Sequence, residues 1–218
     1  WRTVLLGTTG AGGRSVFALD VTNPESFGAN NILWEFTGLN DPDLGATIGQ
    51  AQPVRLTSGR WVAIFGNGYN SSNHRAALFV LDLRTGEVLR KFVVGGGSAT
   101  DPNGLAQPVV LGATAGSIGS DLAYAGDLHG NVWRFDLSGE PSEWSVGVGG
   151  QPLFAARDAN GNRQSITGGL DVIAHPERGR LVFFGTGQYF LRGDNVVPSN
   201  PQIQSFYSIW DDNQVVSG

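Results

Sequence analysis

Short apolar runs alternate with polar, glycine-rich turns along the whole chain, and no stretch carries a sustained helical period with caps. Four runs end in glycine: Val4-Leu5-Leu6-Gly7, Val62-Ala63-Ile64-Phe65-Gly66, Leu122-Ala123-Tyr124-Ala125-Gly126 and Leu181-Val182-Phe183-Phe184-Gly185. Their glycines fall at intervals of 59, 60 and 59 residues. After each comes a second run closing on an acid: Val16-Phe17-Ala18-Leu19-Asp20, Leu78-Phe79-Val80-Leu81-Asp82, Val132-Trp133-Arg134-Phe135-Asp136 and Phe206-Tyr207-Ser208-Ile209-Trp210-Asp211. β-Branched and aromatic residues bounded by Gly, Asn and Asp predict strands.

Two further strands complete the unit. Leu83-Arg84-Thr85-Gly86 reads as a turn, and the mixed pattern of Val88-Leu89-Arg90-Lys91-Phe92 suits a half-exposed outer strand, as does Ile32-Leu33-Trp34-Glu35-Phe36 in the first unit. A short inner strand precedes the later glycine-ending runs, at Ala51–Val54, Ala106–Val110 and Gly169–Ile173. The prediction is an all-β chain forming part of one β-propeller of four-stranded antiparallel blades. Its units run approximately over residues 1–48, 49–104, 105–165 and 166–218. The first lacks its inner strand and the fourth stops after its third strand, which leaves about three and a half blades, short of the roughly four needed for closure. Together with a start at Trp1 rather than Met, this leads us to expect a piece of a larger propeller.

Composition narrows the partners. There are 14 Lys+Arg against 19 Asp+Glu, a net charge of −5, so nucleic acid has no electrostatic footprint here. The longest apolar runs are far too short to cross a bilayer, so no transmembrane segment is expected. With no Cys there is no thiol nucleophile, disulfide or Cys-ligated zinc.

Function on repeat scaffolds often sits where one repeat departs from the others. The fourth unit carries a long insert, Gln188 to Gln204, holding Arg192-Gly193-Asp194. The third has extra residues between its first and second strands, Gly112 to Asp121. The recurring Asp20, Asp82 and Asp136 stand at strand ends where Asp accepts turn N–H groups, so they read as structural. Asp211 and Asp212 are adjacent along an extended chain and diverge. Asp158-Ala159-Asn160-Gly161-Asn162 spaces oxygens as a calcium loop does, but it lacks that loop's sixth-position Gly and closing Glu, and Asn160-Gly161 favours a hairpin turn. His74 and His129 share one face of the disc without a third ligand. Six Trp and twelve Phe are enough for a sugar-stacking platform, although inter-blade packing is their commoner use. No Gly-x-Ser-x-Gly, His-Glu-x-x-His or Walker pattern is present.

These residues resemble a known family. The stretch Arg60-Trp61-Val62-Ala63-Ile64-Phe65-Gly66-Asn67-Gly68-Tyr69-Asn70-Ser71 is similar to the C-terminal β-propeller of PilC/PilY type IV pilus tip adhesins. So are Ala123-Tyr124-Ala125-Gly126-Asp127-Leu128-His129-Gly130-Asn131-Val132-Trp133 and Phe184-Gly185-Thr186-Gly187-Gln188-Tyr189. The resemblance implies a modified quinoprotein-like (PQQ-enzyme-like) propeller without enzymatic activity, secreted to the cell surface and associated with the pilus tip or outer membrane. It implies support of pilus extension and twitching motility, with minor pilins and a host-surface receptor as partners. The family's calcium loop, Asp-x-Asp-x-Asp-x-x-x-Asp, falls here on Ala113, Ala115, Ser117 and, past Gly119, Asp121. Only Asp121 keeps a carboxylate, so no tight calcium binding is expected, and no other cofactor. Arg192, Gly193 and Asp194 form a candidate adhesion tripeptide of the kind some family members use. Alternatives are a PQQ-dependent dehydrogenase, whose paired-Cys ring this chain lacks, and a periplasmic assembly scaffold.

Overall fold

The computed structural model describes residues 1–111, 121–147, 149–190 and 193–212. Four antiparallel sheets follow one another along the chain. The first comprises β1 (Val4–Thr8), β2 (Ser15–Asp20) and β3 (Ile32–Thr37). The second comprises β4 (Gln52–Arg55), β5 (Trp61–Gly66), β6 (Ala76–Asp82) and β7 (Val88–Gly95). The third comprises β8 (Val109–Leu111), β9 (Leu122–Gly126), β10 (Asn131–Asp136), β11 (Ser145–Val146) and β12 (Phe154–Ala155). The fourth comprises β13 (Asp171–Ala174), β14 (Arg180–Gly185) and β15 (Phe206–Asp211). The sequence repeat is a repeat of register: the closing acid pairs with the first or second residue of the preceding strand in each sheet, Val4↔Asp20, Val62↔Asp82, Leu122↔Asp136 and Arg180↔Asp211.

The sheets pack face to face as propeller blades. Alternate residues of the second blade feed two different cores, because successive strand side chains point to opposite faces. Ala63, Phe65, Phe79 and Leu81 join Val16, Ala18, Trp34 and Phe36 of the first blade. Val62, Ile64, Leu78 and Val80 join Ala123, Trp133 and Phe135 of the third. This double burial is why β6 reads as an unbroken apolar run instead of alternating. Phe36, Phe65 and Phe79 meet at centroid separations of 5.3 to 6.2 Å, and each buried side chain of this size contributes roughly 1.5–3 kcal/mol. Trp34, Trp133 and Trp144 lie in these cores, so half of the six Trp serve packing.

The glycine that ends each second strand has a steric cause in the middle blades. The connection to the next blade passes directly over it: a Cβ at Gly66 would lie 2.1 Å from the Ala106 carbonyl oxygen, and one at Gly126 would strike Ile166. The inner strands begin later than the pattern suggested, at Gln52, Val109 and Asp171, and in the third blade this crossing takes up the residues just before the strand. Leu105 and Ala106 instead give their backbone groups to Gly68 and Gly126 of the blades they link. The third blade departs further. Its outer strand is broken into β11 and β12, which pair with opposite ends of β10 around a glycine-rich bulge that includes Gly147 and Gly149.

Candidate functional site

The loops joining second to third strands and the connections between blades share one face of the disc, called here the loop face. Isolated bridges tie them in succession, Gly10↔Thr47, Ala46↔Tyr69, Leu105↔Asp127 and Ile166↔Gly187. In the two middle blades the residue after the strand-ending glycine organises this face. Asn67 donates to the carbonyls of Asp43 and Arg75 at 2.7 Å and accepts the N–H of Ala77 and Leu105. At the corresponding position, Asp127 accepts the Asn131 N–H at 2.8 Å, the Trp133 indole at 2.9 Å and the Asn103 amide at 3.2 Å. Both are fully buried, and every polar contact they make is one that a buried group must find.

A charged cluster sits beside them. Asp43 is buried, with Asn73 at 2.7 Å, Arg75 at 2.8 Å and Lys91 at 2.8 Å, and Lys91 also reaches Asp41 at 2.7 Å. Burial alone would raise the Asp43 carboxyl; the hydrogen bonds from Arg75, Lys91 and Asn73 outweigh it and hold the group at about 2. Sequence reading missed this cluster, because Asn73, Arg75 and Lys91 stand 30 to 48 residues from Asp43.

The fourth-blade insert lies on the same face and is tied at several points. Thr186 and Ser205 close its base, with Thr186 N–H donating to the Ser205 carbonyl at 2.9 Å. Gln202 donates to Asp158 and to the Arg163 carbonyl, and Gln164 donates to the Ile203 carbonyl. Phe190 stacks on Tyr69 of the second blade, 4.3 Å between centroids and 11° between planes. The Tyr69 hydroxyl, pushed well above its ordinary value by burial and then by the Asp127 charge, donates to Thr167.

The sequence candidates fall apart from one another. Ala113, Ala115, Ser117 and Gly119 lie outside the described residues. Asp121 lies on the opposite face, buried, with a φ of 49°. Its carboxylate receives the Thr57 N–H at 2.9 Å and the Thr57 hydroxyl. Arg192 also lies outside the described residues. Gly193 is exposed, and Asp194 accepts the Phe190 N–H at 2.9 Å, closing the turn of its own insert. Asp158 closes the Asn160-Gly161 turn, accepting both the Asn160 and Asn162 N–H groups at 2.9 Å. Asp20, Asp82 and Asp136 each accept the N–H two residues on, as strand-end acids should. Asp211 and Asp212 diverge, the first to Tyr124 at 2.5 Å and Arg134, the second to Arg178.

His129 stands 3.3 Å from Asp101, and the His74 carbonyl receives the Asn103 N–H. Ser71 Oγ and His74 Nδ1, three residues apart, are each buried without a hydrogen-bond partner, so they do not form a nucleophile–base pair. Among the described residues no three His, Asp or Glu converge as metal ligands, and no helix is long and apolar enough to cross a membrane. The arrangement is chemically suited to holding loops in place and presenting amides, with its best-placed acids already committed to structural donors.

A family model described as the PilY1 beta-propeller domain matches residues 1–217. A type IV pilus biogenesis factor PilY1 homolog of Xylella fastidiosa is 46% identical over 230 residues, covering 99% of this chain and 15% of its own length. The type IV pilus biogenesis factor PilY1 of Pseudomonas aeruginosa is 41% identical over 97% of this chain and 19% of its own. The crystal structure of the Pseudomonas aeruginosa PilY1 C-terminal domain superposes with a TM-score of 0.85 at 41% identity, covering 97% of this chain and 46% of that one. The chain therefore spans a fifth or less of the curated relatives it matches.

Proposed function

This chain belongs to the PilY1 β-propeller domain family, and on that footing we propose that it is a non-enzymatic part of a type IV pilus biogenesis factor acting at the cell surface. The observation that carries the reading is the match to named pilus biogenesis factors at 41% and 46% identity over almost all of the chain. The site chemistry supports it: the buried acids serve as loop anchors, and Ser71 and His74 do not pair. In this reading the parent protein promotes pilus extension and surface attachment from the pilus tip, and its direct partners are minor pilins. The carboxylate of Asp121, given over to Thr57, supports a calcium-independent role for this end of the third blade.

Deletion of the parent protein, followed by complementation with the whole chain, tests this. The expected outcome is loss of surface pili and of twitching zones, restored on complementation, with minor pilins co-purifying with the restored protein. Normal piliation in the deletion strain would overturn the proposal. A bound quinone chromophore in the purified protein would favour the dehydrogenase reading instead.

A further inference from the structure

On the loop face, a cleft of about 630 Å³ opens between the Arg157–Arg163 turn and the returning limb of the fourth-blade insert, Asn200–Ser205. Its size is within the roughly 300–1,000 Å³ of small-ligand sites. The two walls are locked together. Asp158 Oδ1 accepts the Asn160 and Asn162 N–H groups, while Oδ2 accepts the Asn162 amide at 3.0 Å and the Gln202 amide at 2.9 Å. These bonds, led by those of Gln202 and Asn162, hold the carboxyl at about 2. The cleft is thus pre-organised, and Asp158, its one acid among the described residues, is saturated with donors.

What remains available is amide and apolar surface. Asn160 and Asn200 are exposed in the lining and make no side-chain hydrogen bond among the described residues. Ile203 is 83% exposed, beside exposed Pro201. An amide offers two donors and one acceptor, which matches a pair of neighbouring hydroxyls that each donate and accept. An aliphatic side chain suits the C–H face of a pyranose ring. Among the described residues Arg157 is the only cation in the lining, and two of its bonds go to the carbonyls of His129 and Ala156. A ligand held chiefly by charge has little to grip. We propose that this cleft binds a neutral carbohydrate, the terminal sugar of a surface glycan or polysaccharide.

The test uses the purified full-length parent protein on an array of neutral oligosaccharides ending in galactose, mannose or N-acetylglucosamine. Their sialylated counterparts, polysaccharide extracted from the producing bacterium and an Arg-Gly-Asp peptide complete the array. The expected result is retention on at least one neutral sugar, weakened tenfold or more by Asn160→Ala and by Asn200→Ala in follow-up calorimetry, with melting temperature unchanged. Which probe is retained separates a host source from the bacterium's own polysaccharide. If an Asn variant melts lower, Ile203→Ser decides, since that exposed side chain supports no core. No retention of neutral sugars, retention of sialylated or peptide probes only, or affinities within twofold of the unmodified protein in all stable variants would overturn the proposal. The readout needs only purified protein, so it fails or stands separately from the piliation experiment.

Discussion

Asp121, at the entrance to β9, and Thr57, in the β4–β5 turn of the preceding blade, are joined by the Thr57 N–H, shared between both oxygens of one buried carboxylate, and by the Thr57 hydroxyl, which donates to one of them. The Asp121 carbonyl also accepts the Leu137 N–H at 2.7 Å. Its backbone is left-handed, a conformation that Asp and Asn tolerate better than other side-chain-bearing residues. Asp121→Ala should therefore destabilise the protein by about 1–3 kcal/mol, and Asp121→Asn by less. The loss should be the same in calcium and in chelator, measured by thermal melts of the whole protein. A calcium-dependent rise in melting temperature that Asp121→Ala abolishes would instead make this residue a metal ligand.

Acid should weaken the protein through Asp43. Its carboxyl titrates at about 2 in the folded chain against an ordinary 3.8, so the folded state holds the charged form. The stabilisation is fully present above pH 4 and disappears as pH falls from about 4 to 2, a loss of about 2 kcal/mol. Urea midpoints measured across that window should fall for the unmodified protein. In Asp43→Asn this component of the fall should be missing.

Gly86 should tolerate no side chain. It has a φ of 74°, and an added Cβ would sit 2.5 Å from the Trp34 ring of the neighbouring blade. Trp34 is fixed there by its indole N–H, which donates to the Leu83 carbonyl at 2.9 Å. Gly86→Ala combines backbone strain with overpacking and should cost about 2–4 kcal/mol. The partner change Trp34→Ala, which removes the ring atoms Cγ and Cδ2 nearest that Cβ, should reduce the added penalty in a double-mutant cycle.

The insert should loosen when its stacking contact is removed. Phe190→Ala deletes the ring that lies on Tyr69, and Asp194→Ala removes the acceptor of the Phe190 N–H. Either variant should speed limited proteolysis within residues 186–205 while shifting the global melting temperature little, because the blade cores do not include these residues. Cleavage at an unchanged rate would mean that the Gln202 and Gln164 ties alone hold the insert.

The blade architecture was legible in the chain because it rests on local, repeated physics. Strand periodicity, a glycine at every second-strand end and an acid closing every third strand are all visible one unit at a time, and each sheet reproduces them in register. Legibility failed where a unit stopped resembling its neighbours. The outer strand of the third blade is split around glycines whose pattern no other unit shares. The inner strand of the third blade starts late because Leu105, just before it, gives its carbonyl to Gly68 of the second blade.

The site was less legible still. Asp121 was identifiable as a lone acid, but its partner Thr57 lies 64 residues away on another blade. Likewise, nothing in Asp158-Ala159-Asn160-Gly161-Asn162 announces that Gln202, 44 residues on, will form the opposite wall of a cleft. The sequence by itself determined the strands, their order within each blade and the turns that acids and glycines close, since those depend on neighbours along the chain. Only the tertiary structure decided which polar groups are already engaged and which remain available, because burial and hydrogen-bond partners are set where blades and loops distant in sequence meet.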